Sequence, residues 1–524
     1  MRQVRGTGAL VAGVLIVLAF VLAARSAADA PATSDIAVIE SYTRLATSGA
    51  LQVGAYSRFQ WHHPGPLPFY LLAPFYMLGA GRTAALNAGA AVLSLESIGL
   101  VLWSLWRRRP PLAALTGLSL ALYAWRGAEA LTSPWNPHMP VLPLTALLVA
   151  SADVFAGATF MLPVVALLAS VVAQAHVALV PTALAVALPT ALASIARAFG
   201  RDGGRAARCS LALAFAVLLL AWALPLAEQV TAEPRGNMTE LARFFLGRHG
   251  AGQSLPAAVS AWSDMLVGVL RPDFYVAHGW PFVESPVRWA EWMSLLLVSV
   301  ITLGTARALL QRDRFMASLG TVLLLSCAVA LWSSTRIEET IFDHDVFWII
   351  APGLLMLAVA VEWLARAGAT LANWRSLSIA ARPATVLCVV LFTVTVVIAW
   401  AQVRREVLRS YEPPVEAMTA RLLADDILDY MRRAHVDRPL IRIDQDAWGV
   451  VAGAVLDLQK RGQMVAIEED WVVMFTRAFA PTGHEDATIT VAMPPLHLRL
   501  TAQQEPLISS HEPIYAHAVR VSAP

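Results

Sequence analysis

SDIAVIESYTRLATSGALQVGAYSRFQWHHPGPLPFYLLAPFYML, residues 34–78, decides how the rest of the chain is read. Its first half sets Asp35, Glu40, Arg44, Tyr56, Arg58, Trp61, His62 and His63 close behind an apolar N-terminal run. Ionisable groups crowded at a membrane boundary are expensive unless they are used. Its second half, 65–80, is apolar but short, and Pro64, Pro66, Pro68 and Pro74 interrupt it. Such a segment suits an interfacial helix on the outer surface better than a span. Loop charge agrees. With 65–80 lying flat, Arg2 and Arg5, the arginines at 107–109, the run at 201–208, QRDR at 311–314 and the 366–382 connection with Arg366, Arg375 and Arg382 all fall on the cytoplasmic side. Counting 65–80 as a span would put these basic clusters outside, against the positive-inside rule.

Composition gives the same class. With 57% hydrophobic and 15% charged residues, the chain has too little polar surface for a water-soluble protein. The formal charge of +2, from 39 basic and 37 acidic residues, carries no nucleic-acid signal. Apolar runs near twenty residues fall at roughly 8–25, 83–106, 111–125, 139–155, 157–175, 177–198, 208–228, 290–310, 315–335, 346–365 and 383–402, about eleven spans. The expected fold is an all-α polytopic membrane protein with a small C-terminal α/β domain. Residues 1–402 form the membrane module, with a first outer loop at about 26–82, and 403–524 form a soluble domain on the same outer face. In that domain 439–444, 463–468 and 487–493 read as strands, and 414–435 and 446–462 as helices. SAADA at 26–30 resembles a signal-peptide cleavage site, but retention as an anchor is expected because it keeps the acidic loop at the membrane. Cys209, Cys327 and Cys388 lie in apolar runs and fit no ligand set, so they read as buried thiols.

Four polar clusters share the outer side. In the first, Ser34 is a plausible N-cap and Asp35 is either a catalytic base or a first-turn carboxylate complementing the helix dipole. Glu40 reads either as a substrate ligand or as an i,i+4 partner of Arg44. The second is Tyr56, Arg58, Trp61, His62 and His63, where Arg58 with His62 or His63 suits a phosphate; adjacent histidines without HxxxH or HExxH spacing do not suggest zinc. The third, between spans, holds Arg126, Trp135, Asn136 and His138, and reads either as a cavity lining or as an interfacial loop. The fourth gathers His176, Arg271, Asp273, Tyr275, His278, Trp280 and the RIEETIFDHD string with Arg336, Asp343, His344 and Asp345. Arginines there suit a phosphate and tryptophans a sugar.

An acidic residue soon after the first span, an HPGPLPFYLL-type segment closing the first loop, many spans and a soluble outer tail resemble the GT-C superfamily of polyprenyl-phosphate-dependent glycosyltransferases, in its protein-mannosyltransferase and aminoarabinose-transferase-like branch. The resemblance covers about 1–400 in layout, with its sequence support in 35–80. It implies a polyprenyl-phosphate-sugar donor, an extracytoplasmic acceptor (glycan, lipid or protein), inverting transfer in a bacterial inner membrane, and a base or acceptor-orienting carboxylate at the position of Asp35. It also implies that the segment from His63 shapes the site. Members often carry Asp-Glu or Asp-x-Asp where this chain has Ser34-Asp35-Ile36. That departure leaves a divalent cation open, and no other cofactor is expected. The competing classes are a transporter, for which the chain lacks a repeated half, and a non-catalytic membrane scaffold or sensor.

Overall fold

The computed structural model describes residues 2–200, 204–247, 250–284, 288–371, 381–502 and 506–520. Arg201 and Arg375, which the charge argument used, lie outside them. Helix α1 (Arg2–Arg25) leads to the first loop, which carries α2 (Ser34–Thr47) and α3 (Leu67–Leu78). Then follow α4 (Thr83–Arg108), α5 (Pro110–Arg126), the short α6 (Ala128–Thr132), α7 (Val141–Phe155), α8 (Leu162–Ala175), α9 (Val180–Phe199) and α10 (Arg205–Thr231). A second outer segment holds α11 (Asn237–Gly247) and α12 (Leu255–Leu266), and α13 (Trp289–Leu310), α14 (Arg314–Ser334), the one-turn α15 (Asp343–Val346), α16 (Ile350–Leu371) and α17 (Ala381–Arg409) complete the bundle. Proline in the first turn of α3, α5, α8, α9 and α12 suits a position whose N–H has no intrahelical partner.

Each of the eleven expected spans coincides with a helix. Among the described residues, seven segments are long and apolar enough to cross a membrane, including Thr83–Arg108, Arg205–Thr231, Asp343–Ala367 and Arg382–Arg409. The runs in α5, α7 and α8 make shorter helices, and the 15 residues of α7 rise only about 22 Å. Nearly every side chain of α7 is buried because other helices enclose it, and its one charge, Asp153, pairs with Arg108 at 2.7 Å. The chain is a polytopic membrane protein. The 12 residues of α3 rise about 18 Å, too little to cross a hydrocarbon core of about 30 Å.

After α17 come α18 (Val415–Ala434), α19 (Trp448–Lys460), the short α20 (Val472–Phe475) and α21 (Leu496–Ala502), and five strands: β1 (Pro439–Ile443), β2 (Ala466–Ile467), β3 (Ala487–Ala492), β4 (Leu507–His511) and β5 (Ile514–Arg520). They form one sheet in the order β2-β1-β3-β5-β4, parallel among the first three and antiparallel across β3-β5-β4. Sequence reading found three of these strands and missed the β4-β5 hairpin, whose LISSH strand is polar and shows no clear alternation.

This sheet unit shares a core with the first loop. Ala37, Val38 and Tyr42 of α2 and Phe69 and Leu72 of α3 pack in one apolar cluster with Val451 and Val455 of α19 and Ile441 of β1. The approach of α19 is close: a Cβ on Gly449 would stand 2.6 Å from the Ser34 hydroxyl, and one on Gly453 would stand 2.5 Å from the Ala32 carbonyl oxygen. At Gly453 a side chain would have to move the backbone that leads into α2, whereas at Gly449 it would have to displace the Ser34 side chain.

Candidate active site

The structure brings together some members of each of the four polar clusters. Asp35 sits half-buried in the first turn of α2. Its carboxylate accepts hydrogen bonds from the Tyr56 hydroxyl at 2.5 Å and from the Trp135 indole N–H at 3.0 Å. Burial pushes its pKa above 3.8, while the Tyr56 and Trp135 bonds and nearby His344 pull it back down. The cap of α2 is Thr33, with no side-chain bond, rather than Ser34.

Tyr56 reaches Asp35 because residues 55–63 fold back on themselves. The Ser57 N–H donates to the Trp61 carbonyl at 2.8 Å and the His63 N–H to the Ala55 carbonyl at 2.7 Å. Asn237, which the sequence did not single out, clamps the returning arm: its Oδ1 accepts from the His62 N–H at 2.8 Å and its Nδ2 donates to the His62 carbonyl at 2.9 Å. Beyond the hairpin the Gln174 side chain accepts from the Leu67 N–H at 3.0 Å and so caps α3.

The imidazoles lie behind this hairpin. His63 Nδ1 accepts from the Val177 N–H at 3.0 Å, its ring is 4.6 Å from that of His176, and Trp61 meets it edge-on at 5.4 Å. His138 packs edge-on against Trp135 at 5.0 Å and pairs through Nε2 with the Ala277 carbonyl at 2.9 Å. Burial lowers His62 to about 4 and His138 and His176 to about 3, and holds His63 well below 6.5. All four are therefore neutral near pH 7. They carry no charge for a phosphate; His63 and His176, whose Nδ1 atoms accept from the Val177 and Ala178 N–H groups, keep an Nε2–H to donate, whereas His138 spends its N–H on the Ala277 carbonyl.

Arg58 is an exposed cation on the same 55–63 hairpin. Its guanidinium lies 4.5 Å from the centre of the Phe342 ring and 4.9 Å from that of Phe59, within electrostatic reach of Asp345. The FDHD string meets Arg58 through Phe342. Asp343 accepts from the His278 and Gly279 N–H groups, both at 2.9 Å, and His344 lies between Asp343 and Asp345 with its ring 5.7 Å from Trp135. His344 is the group that sequence reading undervalued: it acts electrostatically on Asp35, His63, His138 and His176 together.

Other expected members lie apart. Arg126 spends its guanidinium on the Val269 and Pro272 carbonyls, at 2.9 and 3.2 Å, and stacks on Phe274, so it braces a loop. Arg336 lies over Trp332 at the end of α14, and among the described residues no contact joins it to Asp35. Asn136 is half-buried on the turn between Trp135 and His138. Glu40 is fully buried, and the pair with Arg44 is not what holds it. It accepts from Tyr76 at 3.0 Å and from Thr83 at 2.6 Å, and it forms an ion pair with Lys460 of α19. Lys460 also reaches Asp29 at 3.4 Å. Desolvation pushes the Lys460 pKa down, but Glu40 and Asp29 outweigh it and leave the ammonium raised. Among the described residues no three His, Cys, Asp or Glu side chains are grouped to hold a metal ion.

No protein-family profile and no curated protein matches the chain. Among solved structures it resembles ArnT from Cupriavidus metallidurans in the apo state, at 15% identity and a TM-score of 0.54 over 98% of both chains. The same protein bound to undecaprenyl phosphate matches at 14% identity and a TM-score of 0.52, again over 98% of both chains. The likeness shows the fold, a GT-C-type bundle with a C-terminal α/β unit.

Proposed function

We propose that this chain is an integral-membrane glycosyltransferase that moves a sugar from a polyprenyl-phosphate donor to an acceptor on the outer face of the membrane. The observation that supports it most is the Asp35 carboxylate, held by Tyr56 and Trp135 beside an exposed arginine and neutral imidazoles, in a bundle with the fold of ArnT, which has been crystallised with undecaprenyl phosphate. Asp35 takes the proton of an acceptor hydroxyl as its oxygen attacks the anomeric carbon. The bond from that carbon to the phosphate oxygen breaks, polyprenyl phosphate departs, and a single displacement inverts the anomeric centre. Arg58 faces the charge that grows on the departing phosphate, and the Nε2–H that His63 keeps offers it a hydrogen bond.

Arg58→Lys tests the phosphate role. A point charge cannot reproduce a planar fork that also stacks on Phe342, so transfer is expected to fall roughly 10²-fold with folding intact. Arg336→Lys serves as the control and should stay near wild type. A near-normal rate for Arg58→Lys assigns the phosphate to another group.

Orientation is tested separately. Residues 35–80 and the unit after α17 are proposed to share the outer compartment, with the basic connections inside. Cys209 is exposed, contrary to the expectation of a buried thiol, so labelling needs a Cys209→Ser background. In it, Gln60→Cys and Thr482→Cys, both at exposed positions, should react with an impermeant maleimide in intact cells. Reaction at only one of the two breaks this topology.

A further inference from the structure

Glu96 is a charge for which the proposed reaction has no use. It stands at the middle of the 26-residue α4, about 19 Å from either end, which is the depth of the bilayer centre if α4 crosses. Its side chain is exposed on the outside of the bundle, and among the described residues it has no hydrogen-bond or ion-pair partner. It opens into a cavity of about 500 Å³ between α1, α4 and α17, whose walls include Val14, Val17, Leu95, Gly99 and Phe392. The walls are apolar apart from Glu96. A Cβ on Gly99 would meet only the Phe392 ring, at 3.8 Å, so another backbone can come near.

An unpaired carboxyl group facing hydrocarbon at mid-depth is costly, and ionisable groups kept there pair or line a pathway. Which partner fits follows from charge. A lipid chain would fill the volume and leave the carboxyl unpaired. A second copy of this chain has no Lys, Arg or His near the centre of any of its long apolar helices to offer; their basic residues lie toward the ends, as with Arg107, Arg108, Arg205, Arg208, Arg307, Arg314 and Arg382. We propose that the groove between α1, α4 and α17 is the docking site for a single transmembrane helix of another protein carrying one basic side chain at its centre, which pairs with Glu96. Buried between helices, that pair would satisfy both groups where water cannot. The inference does not rest on the transferase reading.

The test uses the full protein in nanodiscs and designed Leu/Ala transmembrane peptides that differ only at the central residue. The peptide with a central Lys is expected to bind wild type at least about tenfold more tightly than its central-Leu counterpart, measured by fluorescence transfer. Glu96→Leu, a change that makes the surface more apolar and should not impair folding, is expected to abolish that preference. Glu96→Lys is expected to transfer the preference to a central-Glu peptide, which loss of fold cannot mimic. Equal binding of the Lys and Leu peptides to wild type overturns the proposal, as does a Lys preference that survives in Glu96→Leu. Wild-type self-association that displaces the Lys peptide and disappears in Glu96→Leu would identify a second copy as the occupant and overturn it too.

Discussion

Asp35→Asn is expected to keep binding polyprenyl phosphate and to lose turnover by roughly 10²–10⁴-fold. The amide fits the same place. Its oxygen can accept from the Trp135 indole and its nitrogen can donate to the Tyr56 hydroxyl, so both bonds survive while the base is gone. Acidity gives an independent sign. Burial raises Asp35 above 3.8, so the folded protein holds this proton more tightly than the unfolded chain, and ionising it costs stability as pH rises through the raised value. Wild-type transfer should therefore switch on over that same rise, whereas Asp35→Asn should melt no earlier than wild type at neutral pH. A carboxylate that serves only the helix dipole requires the opposite pattern: a stability loss of about 0.3–1 kcal/mol with turnover near normal. Melting and single-turnover transfer, measured on one purified variant, separate the two.

Lys460→Met is expected to destabilise the protein by about 3–5 kcal/mol, because it leaves Glu40 fully buried with its counter-charge removed. The Tyr76 and Thr83 bonds remain but cannot neutralise it. Adding Glu40→Gln removes the stranded charge, so the double variant should recover most of the lost melting temperature. Glu40→Gln alone should be milder, since Lys460 keeps Asp29 and some contact with solvent. Were the two single losses simply to add, the pair would not be a coupled unit. The pair joins α19 to α2, five residues beyond Asp35 on the same helix. Gly453→Val should push on the same joint from its other end and lower transfer even in molecules that stay folded.

How far the chain could be read follows from where the information lies. Helices were legible because α10 and α17 are long apolar runs, and α3 was recognised as too short to cross from its prolines. Asp35, Tyr56, Trp61 and His63 were singled out because 35–63 is a local stretch whose polarity contrasts with its surroundings. What failed was long range. Glu40 has Arg44 at ideal helical spacing, and nothing in the sequence says that Lys460, more than four hundred residues later, lies nearer its carboxylate. Arg126 and Arg336 looked equivalent to Arg58 until Arg126 proved to be bonded to backbone carbonyls and Arg336 to lie elsewhere. The histidines carry a similar lesson: the sequence set His62 and His63 beside Arg58 as phosphate ligands, and burial makes both neutral. His344 was visible in its FDHD string, but only the fold brings it beside Trp135.

The most direct test of the proposed chemistry follows the lipid. Wild-type protein and Asp35→Asn, each in nanodiscs, are incubated with a membrane-lipid extract that supplies polyprenyl-phosphate sugars and acceptors, and the products are followed by mass spectrometry. The proposed mechanism requires wild type to release polyprenyl phosphate in step with a newly glycosylated product, and Asp35→Asn to retain the donor intact. Equal release by both proteins, or a donor that wild type binds and leaves unchanged beside a competent acceptor pool, would contradict it.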